Sequence, residues 1–550
     1  MHVEWSNKKK FLYVEAPYGS FAREATSAPD TGSYDYIVVG GGTAGCALAA
    51  TLSAAARVVV LERGGLPYGN PNVTHIVNFQ AGLADASPSS AAQQFVSTDG
   101  VFNHRGRVLG GSSAINAGFY TRASAEYVAK AGWVPRLVNE SYDWVERKVA
   151  FRPSVRQWQA AVRDGLLAAG VLPYNGFTYE HSHGTKIGGS TFDQNGRRHT
   201  AADLLEYASP SNIAVYLHAT VQQILFTPCP GGERPRATGV IFTDSMSGRH
   251  VAYLNNGPGN EVILSAGSVG SPQLLMLSGI GPAQQLKAHN INIVMDQPLV
   301  GQGMSDNPMN AIVIPSARPI EVSLIEVVGI TEFGSYIEAA SGLFQLDSAR
   351  KMAQDFARLA NQTLPETIQG FDPNPNPNAE QAAVILEKVM GPFSRGYMEL
   401  QSLDPNDNPR ITFNYFKDQR DLQRCVGGMR IIKSVVESGP VSSFEFPFTS
   451  FDTLMSLTAG LPSNLRRKHV TVPYSIEQFC VDTVMTIWHY HGGCQVDRVV
   501  DRDYRVIGVD SLRVIDGSTF NNSPGTNPQA TVMMLGRYMG LKLLQQRRIQ

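Results

Sequence analysis

The stretch YIVVGGGTAGCALAATLSAAARVVVLE, residues 36–62, indicates the fold class of this chain. It begins with four apolar residues, three of them β-branched, which are typical of a buried parallel strand. Gly40, Gly42 and Gly45 fit the pattern G-x-G-x-x-G at the start of an alanine-rich helix, and a second apolar strand ends in Glu62. A strand, a glycine turn, a helix, a strand and an acid in this order predict a dinucleotide-binding unit.

The glycines and the acid of this motif have separate physical roles. Gly40 permits a tight turn, Gly42 lets backbone amides approach a pyrophosphate, and Gly45 lets the helix pack closely on the strand. Glu62, seventeen residues after Gly45, is placed to accept hydrogen bonds from a ribose diol. Its negative charge disfavours a nicotinamide cofactor that carries a 2′-phosphate. A tight turn without any ligand is the alternative interpretation.

The composition limits the class of protein. The chain has 550 residues, which is more than one hydrophobic core usually holds, so we expect two structural units. Lys and Arg number 46 and Asp and Glu number 47, and this balance gives no electrostatic footprint for nucleic acid or for an anionic membrane. No apolar run reaches the length of a membrane span. The sequence carries no signal of oligomeric state.

Two observations bear on localisation. The first twenty residues contain no apolar core of signal-peptide length, so either the protein stays inside the cell or the sequence begins after a removed signal. Three Asn-x-Ser/Thr sequons, at Asn72, Asn139 and Asn361, favour the second interpretation. We therefore expect a glycoprotein that is secreted or belongs to the secretory pathway.

Further segments belong with the opening motif. Residues 106–118 form a second glycine cluster, whose small residues and exposed amides favour close approach of a flat or anionic ligand, although a loop used only for packing has the same composition. Residues 213–226 predict two short strands, and residues 238–254 predict a hairpin. Residues 261–267 have the pattern of another buried strand that ends in glycine, so we expect the nucleotide-binding sheet to resume there.

Residues 300–470 have a different character. Four short segments have strand composition and are joined by long connections rich in proline and asparagine, such as residues 372–378. The four segments are Ile312–Pro315, Val327–Thr331, Tyr397–Leu400 and Ile411–Tyr415. The predicted fold is therefore mixed α/β, with a Rossmann-like domain built on a parallel sheet and a second unit built on a largely antiparallel sheet with helices.

The C-terminal quarter contains the candidates for chemistry. His489, His491 and Cys494 could suggest a metal site, but neighbouring glycines and the lack of suitably spaced carboxylates or of a second cysteine pair argue against one. A histidine with the ordinary pKa of about 6.5 suits proton abstraction from an alcohol. Asn527, in a polar loop before the last helix, offers His489 a partner. A catalytic role requires these two loops to meet over the cofactor, and a structural histidine is the alternative.

Four motifs in sequence order resemble those of the glucose–methanol–choline (GMC) oxidoreductases, which bind FAD. Besides the opening motif and the C-terminal loops, the family's first signature resembles residues 106–120, and its second resembles residues 267–281. The similarity runs from about Tyr34 to the end of the chain. Within the family, the chain is similar to the plant branch of HOTHEAD-type proteins and FAD-containing mandelonitrile lyases.

The resemblance implies two functional units. We expect a discontinuous FAD-binding domain and a substrate domain that fills the gaps between its segments. The expected ranges are 1–33 for a polar N-terminal arm, 34–120, 190–300 and 480–550 for the FAD-binding domain, and 121–189 and 301–479 for the substrate domain.

The resemblance also implies which residues hold the cofactor. The glycine motif and the acid after it would hold the ADP half, the Val221 backbone would meet the adenine, and Ser112 would lie along the flavin with residues 116–119. Residues 516–517 and 527–529 would reach the pyrophosphate and the flavin ring. The expected FAD-binding residues are Gly40, Gly42, Thr43, Ala44, Gly45, Glu62, Arg63, Arg107, Val108, Gly110, Ser112, Asn116, Ala117, Gly118, Phe119, Val221, Trp488, Asp516, Gly517, Pro528 and Gln529.

The same resemblance implies a catalytic pair and a disulfide. His489 corresponds to the family's catalytic base, with Asn527 as its partner. Cys425 and Cys480 match the cysteines that are bridged in the plant lyases, so we expect a disulfide between them.

Three functions are open to such a chain: alcohol oxidation, cyanohydrin cleavage, and FAD binding without turnover. In an oxidase, His489 would take the hydroxyl proton while the alcohol carbon gives hydride to flavin N5. The lyases have a second histidine where this chain has Asn527, and a tyrosine where it has Ile487. They also have a cysteine in the substrate domain. This chain has no cysteine between Cys229 and Cys425. These departures favour oxidation of a primary, aromatic or long-chain alcohol to the aldehyde, with oxygen or another acceptor reoxidising the flavin.

Overall fold

The computed structural model describes residues 17–227, 234–257, 259–343, 346–362, 382–447, 449–469 and 474–549. The connection predicted at residues 372–378 lies outside these ranges, as do Cys229 and the last residue of the third sequon, Thr363.

A six-stranded parallel sheet is built around the opening motif. Its strands, in spatial order, are Ala22–Glu24, Ile213–Leu217, Val58–Leu61, Tyr36–Val39, Glu261–Leu264 and Leu512–Val514. Both strands of the opening motif, and the strand that begins at Glu261, are buried along their whole length. Unbroken apolar strands of this kind are expected where helices or loops cover both faces of a sheet. The predicted parallel sheet is confirmed.

The N-terminal segment that we interpreted as an arm contributes two strands. Ala22–Glu24 pairs with Ile213–Leu217 at the edge of the parallel sheet, and Thr31–Tyr34 pairs with Arg249–Leu254 in a second sheet. With three and four residues, the two strands are too short for an alternating pattern to be visible in the sequence. Residues 22–34 therefore belong to the sheet framework.

The second sheet has four strands and contains the predicted hairpin. Its order is Thr220–Phe226, Ala237–Thr243, Arg249–Leu254 and Thr31–Tyr34. The two middle strands are antiparallel, with Ile241 opposite Val251. The hairpin predicted over residues 238–254 is therefore confirmed, as are the two short strands predicted within residues 213–226.

A seven-stranded sheet dominates the second half of the chain. Its strands, in spatial order, are Met485–Thr486, Pro308–Pro315, Ala382–Val389, Ser335–Ser341, Val327–Ile330, Gly184–Ile187 and Tyr174–Phe177. Every pair is antiparallel except the last, which is parallel. The prediction of a largely antiparallel second sheet is confirmed, and we call it the antiparallel sheet.

The remaining elements connect and cover these sheets. A three-stranded sheet consists of Gln302–Met304, Gly396–Glu399 and Arg410–Thr412. Two-stranded pairs are Ala92–Val96 with Phe102–Gly106, Phe119–Tyr120 with Gly189–Ser190, and Ile280–Gly281 with Met295–Asp296. The α-helices are Gly45–Leu52, Pro71–Thr74, Phe79–Ala84, Ala125–Lys130, Pro135–Val149, Gln157–Ala168, Gly267–Leu277, Ala283–Ala288, Leu346–Leu359, Gln419–Val436, Gly439–Ser442, Phe451–Ala459, Ile476–Asp482 and Gln529–Ile549. The 3-10 helices are Pro17–Ser20, Ala25–Ser27, Ile76–Asn78, Gly111–Ala114, Ala201–Tyr207 and Gly517–Thr519.

Among the helices of the described ranges, none has the length and hydropathy that crossing a membrane requires.

The C-terminal helix Gln529–Ile549 packs on the helix of the opening motif. A Cβ atom on Gly536 would lie 2.3 Å from the Ala44 carbonyl oxygen, and one on Gly540 would lie 2.7 Å from Thr51 Cβ. Two glycines one turn apart therefore let the helix backbones approach closely. This contact brings the loop before the C-terminal helix to the same cavity as the opening glycine turn.

A disulfide joins Cys425 and Cys480, as predicted. Their Cα atoms are 6.5 Å apart, and both side chains are fully buried. The bridge connects helix Gln419–Val436, which packs on the antiparallel sheet, to helix Ile476–Asp482.

Candidate functional site

A large cavity lies at the carboxyl ends of the parallel strands, where open α/β sheets bind their ligands. Its wall includes Gly40 and Glu62 from the opening motif, and Gly267 and Gly517 from the loops after two further strands. The second glycine cluster, the loop around Trp488 and the start of the C-terminal helix complete the wall. The motifs that lie far apart in the sequence therefore meet at one site.

The opening glycine turn has no room for a side chain at two positions. A Cβ on Gly40, whose φ is +99°, would lie 2.6 Å from the Ser265 carbonyl oxygen. A Cβ on Gly45 would lie 2.0 Å from the Gly40 carbonyl oxygen. Gly42 differs, because the nearest protein atom would be 3.6 Å from its Cβ. The protein itself does not require glycine there, which fits a position kept open for a ligand.

The second glycine cluster folds against the first. Gly111 has a φ of +59°, and a Cβ there would lie 2.8 Å from Gly42 Cα. We call these two segments, residues 40–45 and 106–118, the glycine cradle. Its two backbones together form one end of the cavity.

The Glu62 carboxylate is held at the cavity by backbone amides. The Gly41 N–H donates to Oε2 at 2.9 Å, and the Gly64 N–H donates to Oε1 at 2.8 Å. Burial raises the pKa of Glu62, while these amides and the neighbouring Arg63 lower it. A carboxylate oxygen can accept two hydrogen bonds, so each oxygen keeps a lone pair for a ligand hydroxyl.

A hydrogen-bonded pair ties the glycine cradle to the C-terminal helix. The Asn116 amide donates to Gln529 Oε1 at 2.9 Å, and the Gln529 amide donates to the Phe119 carbonyl oxygen at 2.6 Å. The buried Arg198, which the sequence analysis does not single out, donates to Asn116 Oδ1 at 3.1 Å. These bonds fix the cradle backbone along the cavity.

Asp516 anchors two loops. Its carboxylate accepts hydrogen bonds from the Gly267 N–H at 2.9 Å and from the Ser271 hydroxyl at 2.5 Å, and burial raises its pKa. The other oxygen accepts from the Ser518 N–H at 2.8 Å. Asp516 therefore fixes the start of helix Gly267–Leu277 at the cavity.

Most of the predicted cofactor residues line the cavity. They are Gly40, Gly42, Thr43, Ala44, Glu62, Arg63, Ser112, Asn116, Ala117, Gly118, Phe119, Val221, Trp488, Asp516, Gly517, Pro528 and Gln529. The two predicted catalytic residues, His489 and Asn527, line the same cavity.

Four predicted residues lie behind the cavity wall in the described structure. They are Gly45, Arg107, Val108 and Gly110. The Arg107 guanidinium donates to the Ser90 carbonyl oxygen at 3.0 Å, and Val108 belongs to a small buried apolar cluster. A Cβ on Gly110 would lie 2.8 Å from Thr200 Oγ1. These contacts shape and support the cradle loops, and a role of the four residues in cofactor binding stays a prediction.

The tautomer of His489 follows from its neighbour Tyr336. The Tyr336 hydroxyl donates to the Thr526 carbonyl oxygen at 3.2 Å, and its oxygen lies 3.2 Å from His489 Nδ1. A carbonyl can only accept, so when the single hydroxyl hydrogen of Tyr336 points to Thr526, Nδ1 is the donor to Tyr336. In the neutral imidazole, Nε2 then carries the free lone pair that a base requires.

The surroundings of His489 keep its imidazole uncharged. Burial lowers the pKa of His489 well below its ordinary value, and the nearby positive charge of Lys388 and the His491 ring lower it further. The side chain is therefore neutral at neutral pH, in the form that can accept a proton.

The Asp306 carboxylate holds the backbone of His489 by a hydrogen bond. Its Oδ1 accepts the His489 N–H at 2.8 Å, and its Oδ2 accepts the hydroxyls of Tyr415 and Thr486, each at 2.6 Å. Burial raises the pKa of Asp306 to about 7, although these donors lower it. Asp306 is thus a buried hydrogen-bonding centre whose charge changes near neutral pH.

Several cavity residues present polar atoms without a protein partner, and Trp488 and Asn527 are two of them. Within the described residues, Asn527 Oδ1 and Trp488 Nε1 are buried and make no hydrogen bond. Buried polar atoms are nearly always paired, so these two atoms point to a ligand in the cavity. His489 and Asn527 share the cavity as predicted, and the hydrogen bond of the His489 ring goes to Tyr336.

The segment that contains His489, His491 and Cys494 has no arrangement of side chains that suits a metal ion. His491 Nδ1 lies 3.0 Å from the His489 carbonyl oxygen, and Cys494 is fully buried. Across the described ranges, no group of three or more His, Cys, Asp or Glu side chains is arranged to hold a metal ion.

The antiparallel sheet supplies three residues that the sequence analysis does not identify. Tyr336 lies opposite Lys388 on the neighbouring strand, and Glu338 is two residues from Tyr336, so all three side chains point to one face. Glu338 and Lys388 line the cavity, and Tyr336 reaches His489. We call these three residues the sheet wall. The signal in the sequence is a charged residue inside an apolar strand, at Glu338 in SYIEAAS and at Lys388 in AAVILEKV.

This arrangement defines a class of protein. A parallel sheet carries a dinucleotide-type glycine cradle at its carboxyl edge, and an antiparallel sheet presents a neutral histidine to the same cavity. Residues 34–309 match the N-terminal domain, and residues 392–536 the C-terminal domain, of the family described as GMC oxidoreductase. The chain therefore belongs to the GMC oxidoreductase family, and the resemblance stated from its motifs is confirmed.

Individual relatives support the same assignment. The chain is 53% identical to Protein HOTHEAD of Arabidopsis thaliana, covering 94% of this chain and 89% of the relative. It is 41% identical to (R)-mandelonitrile lyase 3 of Prunus serotina, covering 100% and 92%. It is 40% identical to sinalpyl alcohol oxidase Nec3 of Nesocodon mauritianus, covering 97% and 93%.

A solved structure has the same fold. A formate oxidase of Aspergillus oryzae, solved to follow the modification of its FAD, superposes with a TM-score of 0.74 at 19% identity, covering 95% of this chain and 100% of the other. The cofactor of this family is FAD, as predicted, and the residues present fit it. Glu62 keeps lone pairs for ribose hydroxyls, Gly42 leaves open space, and the unpaired atoms of Trp488 and Asn527 offer polar contacts.

Proposed function

We propose that this protein oxidises a primary alcohol, with an aromatic or long-chain body, to the aldehyde, with His489 as the general base. The observation that carries the proposal is the geometry of His489. The residue lines the cavity, and its Nδ1 lies 3.2 Å from the Tyr336 oxygen, so the tautomer that donates from Nδ1 keeps the Nε2 lone pair for a substrate. A neutral imidazole held in this way is suited to take the proton of a substrate hydroxyl.

The chain's own residues supply proton transfer, positioning and an apolar pocket. The hydroxyl proton passes to His489 Nε2, and the Tyr336 oxygen stabilises the resulting imidazolium by accepting from Nδ1–H. Asn527 Oδ1, which has no partner among the described residues, is placed to accept a hydrogen bond. Phe119 and Ile325 give the cavity apolar surface for the body of the substrate. FAD, when bound, supplies the acceptor for the hydride of the alcohol carbon.

The residues that we propose for cofactor binding are the predicted ones that line the cavity. The glycine cradle and Glu62 serve the ADP half, and the loops of Trp488 and Asn527 serve the ring. We also propose the division into a discontinuous FAD-binding domain and a substrate domain. The antiparallel sheet that carries the sheet wall lies mostly in the second of these units.

Cyanohydrin cleavage is the second candidate, because the chain is also 41% identical to a mandelonitrile lyase. The same base would remove the cyanohydrin proton, the carbon–cyanide bond would break, and no electrons would pass to an acceptor. Asn527, Ile487 and the absence of cysteine from residues 230–424 favour the oxidase. The relative named as a sinalpyl alcohol oxidase supports the same choice.

An anaerobic alcohol panel distinguishes the two reactions. The purified holoenzyme is mixed without oxygen with benzyl, cinnamyl and straight-chain primary alcohols, and the flavin absorbance is followed. We expect at least one alcohol to bleach the oxidised flavin and to yield its aldehyde in equal amount. If no alcohol reduces the flavin while mandelonitrile is split to benzaldehyde, the lyase is correct. If neither reaction occurs, the protein binds FAD without turnover.

We further propose that the protein is secreted or resides in the secretory pathway. Disulfides persist in oxidising compartments, and Cys425 is bridged to Cys480. The sequon asparagine Asn139 is exposed on helix Pro135–Val149. Expression of the full-length protein with a fluorescent tag should give extracellular or secretory-pathway signal and a glycosidase-sensitive mass. A cytosolic signal would contradict the proposal.

A further inference from the structure

We propose that Glu338 and Lys388 recognise a second hydroxyl group on the substrate, so that the preferred substrates are alcohols with a hydroxyl besides the one that reacts. The inference rests on the proposed function for the identity of the reacting group. It adds a specificity-determining pair in a part of the chain where no sequence motif was found.

The two charged side chains are deeply buried in the sheet wall. The Lys388 ammonium donates to Glu338 Oε2, and the side chains are only 1% and 0% exposed. Both nevertheless line the cavity that contains His489. A buried ion pair is weak evidence for stability, since two apolar side chains of similar volume usually serve as well. Its position at the cavity therefore favours a role in ligand recognition.

One acceptor of the pair is free. Among the described residues, Glu338 Oε1 is buried and has no hydrogen-bond partner. An ammonium has three N–H groups, and the bond to Glu338 Oε2 uses one of them. The pair therefore offers a ligand an acceptor and a donor side by side.

The charge of the site limits which ligand group can use both atoms. The Glu338–Lys388 pair is neutral as a whole, and the side chain of the adjacent residue, Glu387, points to the other face of the sheet, where it accepts from the Ser335 hydroxyl. A ligand carboxylate would meet the negative Glu338, and a ligand ammonium would meet the positive Lys388. A carbonyl could only accept and would leave Glu338 Oε1 unpaired. A hydroxyl donates and accepts, so it satisfies both atoms.

The surroundings of the pair are apolar. Phe119, the residue after the glycine cradle, packs with Ile325, Val328 and Tyr336 in one buried cluster. Val328 lies opposite Glu338 on the neighbouring strand, so its side chain shares the face of the sheet wall. A polar pair within an apolar surface fixes the orientation of a bound molecule more than it contributes to general affinity. The substrate class is thus an apolar alcohol that carries one further hydroxyl.

The test compares substrates that differ by one hydroxyl. Benzyl alcohol is paired with 4-hydroxybenzyl and 3-hydroxybenzyl alcohol, and 1-hexanol with 1,6-hexanediol, on the wild-type holoenzyme. We expect the better hydroxylated member of at least one pair to have a kcat/KM at least about 10-fold higher, mainly through KM, since such polar groups supply roughly that discrimination. Equal kcat/KM values within every pair would overturn the proposal while leaving alcohol oxidation intact.

Variants test whether the preference for the hydroxylated substrate depends on Glu338 and Lys388. Removing one partner leaves a buried charge, so Glu338→Gln and Lys388→Met are combined in one uncharged double variant. We expect the preference for the hydroxylated substrate to fall to about 2-fold or less there. Lys468→Met is the matched control, because Lys468 is also buried but lies outside the cavity wall, and it should keep the wild-type preference. A preference that survives in the double variant would assign recognition to other residues and overturn the proposal.

A binding measurement separates this inference from the proposed reaction. Benzaldehyde and its 3- and 4-hydroxy derivatives are titrated onto the wild-type and double-variant holoenzymes by calorimetry, which requires no turnover. Tighter binding of a hydroxylated aldehyde to the wild type alone supports recognition by the pair, even if no alcohol reduces the flavin. Equal binding of all three aldehydes to the wild type would refute it. If the double variant does not fold, Glu338→Asp, which keeps both charges and shortens the carboxylate side chain, is tested for the same change in relative affinity.

Discussion

The glycine cradle and the sheet wall contribute to one cavity and are built in different ways. The cradle is defined by its backbone: Gly40 and Gly45 have no space for a side chain, and backbone amides hold Glu62. The sheet wall is defined by side chains that strand pairing brings together, with Tyr336 opposite Lys388. The cradle thus provides a site that the FAD of this family fits, whereas we propose that the wall provides chemistry and selectivity. Substitutions in the two regions should therefore have different consequences.

The largest expected effect is in the cradle, at Gly45. A methyl group there would lie 2.0 Å from the Gly40 carbonyl oxygen, so Gly45→Ala forces the backbone apart. We expect it to lower the free energy of unfolding by about 3 kcal/mol or more and to give little folded holoenzyme. Gly42→Ala is the matched control, because its nearest protein atom would be 3.6 Å away. It should keep the apoprotein stability and lose at least about 10-fold in FAD affinity, measured by thermal unfolding and flavin release. Equal behaviour of the two variants would contradict this account of the cradle.

Removal of the disulfide tests how far this bridge stabilises the region of the antiparallel sheet. Cys425 and Cys480 close a segment of 55 residues, and a Cys425→Ser, Cys480→Ser double variant should lose about 2–4 kcal/mol of stability. The glycine cradle does not depend on this bridge, so FAD affinity of the folded variant should stay close to wild type. Denaturant unfolding and FAD titration measure the two quantities. A loss of FAD affinity without a loss of stability would contradict the separation of the two regions.

Tyr336→Phe tests the contact of the sheet wall with His489, the proposed base. The variant removes the acceptor of His489 Nδ1–H, and kcat should fall about 2- to 10-fold, which corresponds to one hydrogen bond of about 0.5–1.5 kcal/mol. Bound FAD should be retained. Tyr142→Phe is a suitable control, because it removes a buried hydroxyl that bonds to Thr531 and to the Ala123 N–H, far from His489 along the chain. If both variants lower kcat equally, Tyr336 does not act through His489.

The last expected effect is a dependence of kcat/KM on pH. Burial raises the pKa of Asp306 to about 7, so the carboxyl becomes protonated as the pH falls through that value. The His489 N–H then loses its charged acceptor, and kcat/KM should fall about 2- to 10-fold on the acid side. The Asp306→Asn variant has no charge at any pH and should lack this transition. A transition near pH 7 that persists in the variant would belong to another group.

The glycine cradle was predictable because its residues are close to one another in the sequence. Gly40, Gly42 and Gly45 occupy adjacent positions of one turn, and backbone geometry alone requires glycine at two of them. The disulfide and the cavity positions of His489 and Asn527 followed from the family resemblance and are found in the structure. For Arg107, whose guanidinium donates to the Ser90 carbonyl oxygen, cofactor binding stays a prediction.

The sheet wall was not predictable for a physical reason. Tyr336 and Lys388 lie on separate strands, and only the register of the antiparallel sheet places them on one face near His489. A slip of one residue would turn Lys388 away from the cavity. Asp306 is similar, because its hydrogen bonds to Tyr415 and Thr486 join segments far apart in the sequence. Nothing in the local sequence specifies such contacts.

We propose that His489 is the base for an alcohol while the cradle holds FAD independently of it. The most direct test is anaerobic rapid mixing of an active alcohol with wild-type and His489→Ala holoenzymes, with the flavin absorbance as the signal. We predict that the variant keeps its FAD and that the rate of flavin reduction falls by about 10²–10⁴-fold, the usual contribution of a general base. A variant that reduces its flavin at the wild-type rate would contradict the account.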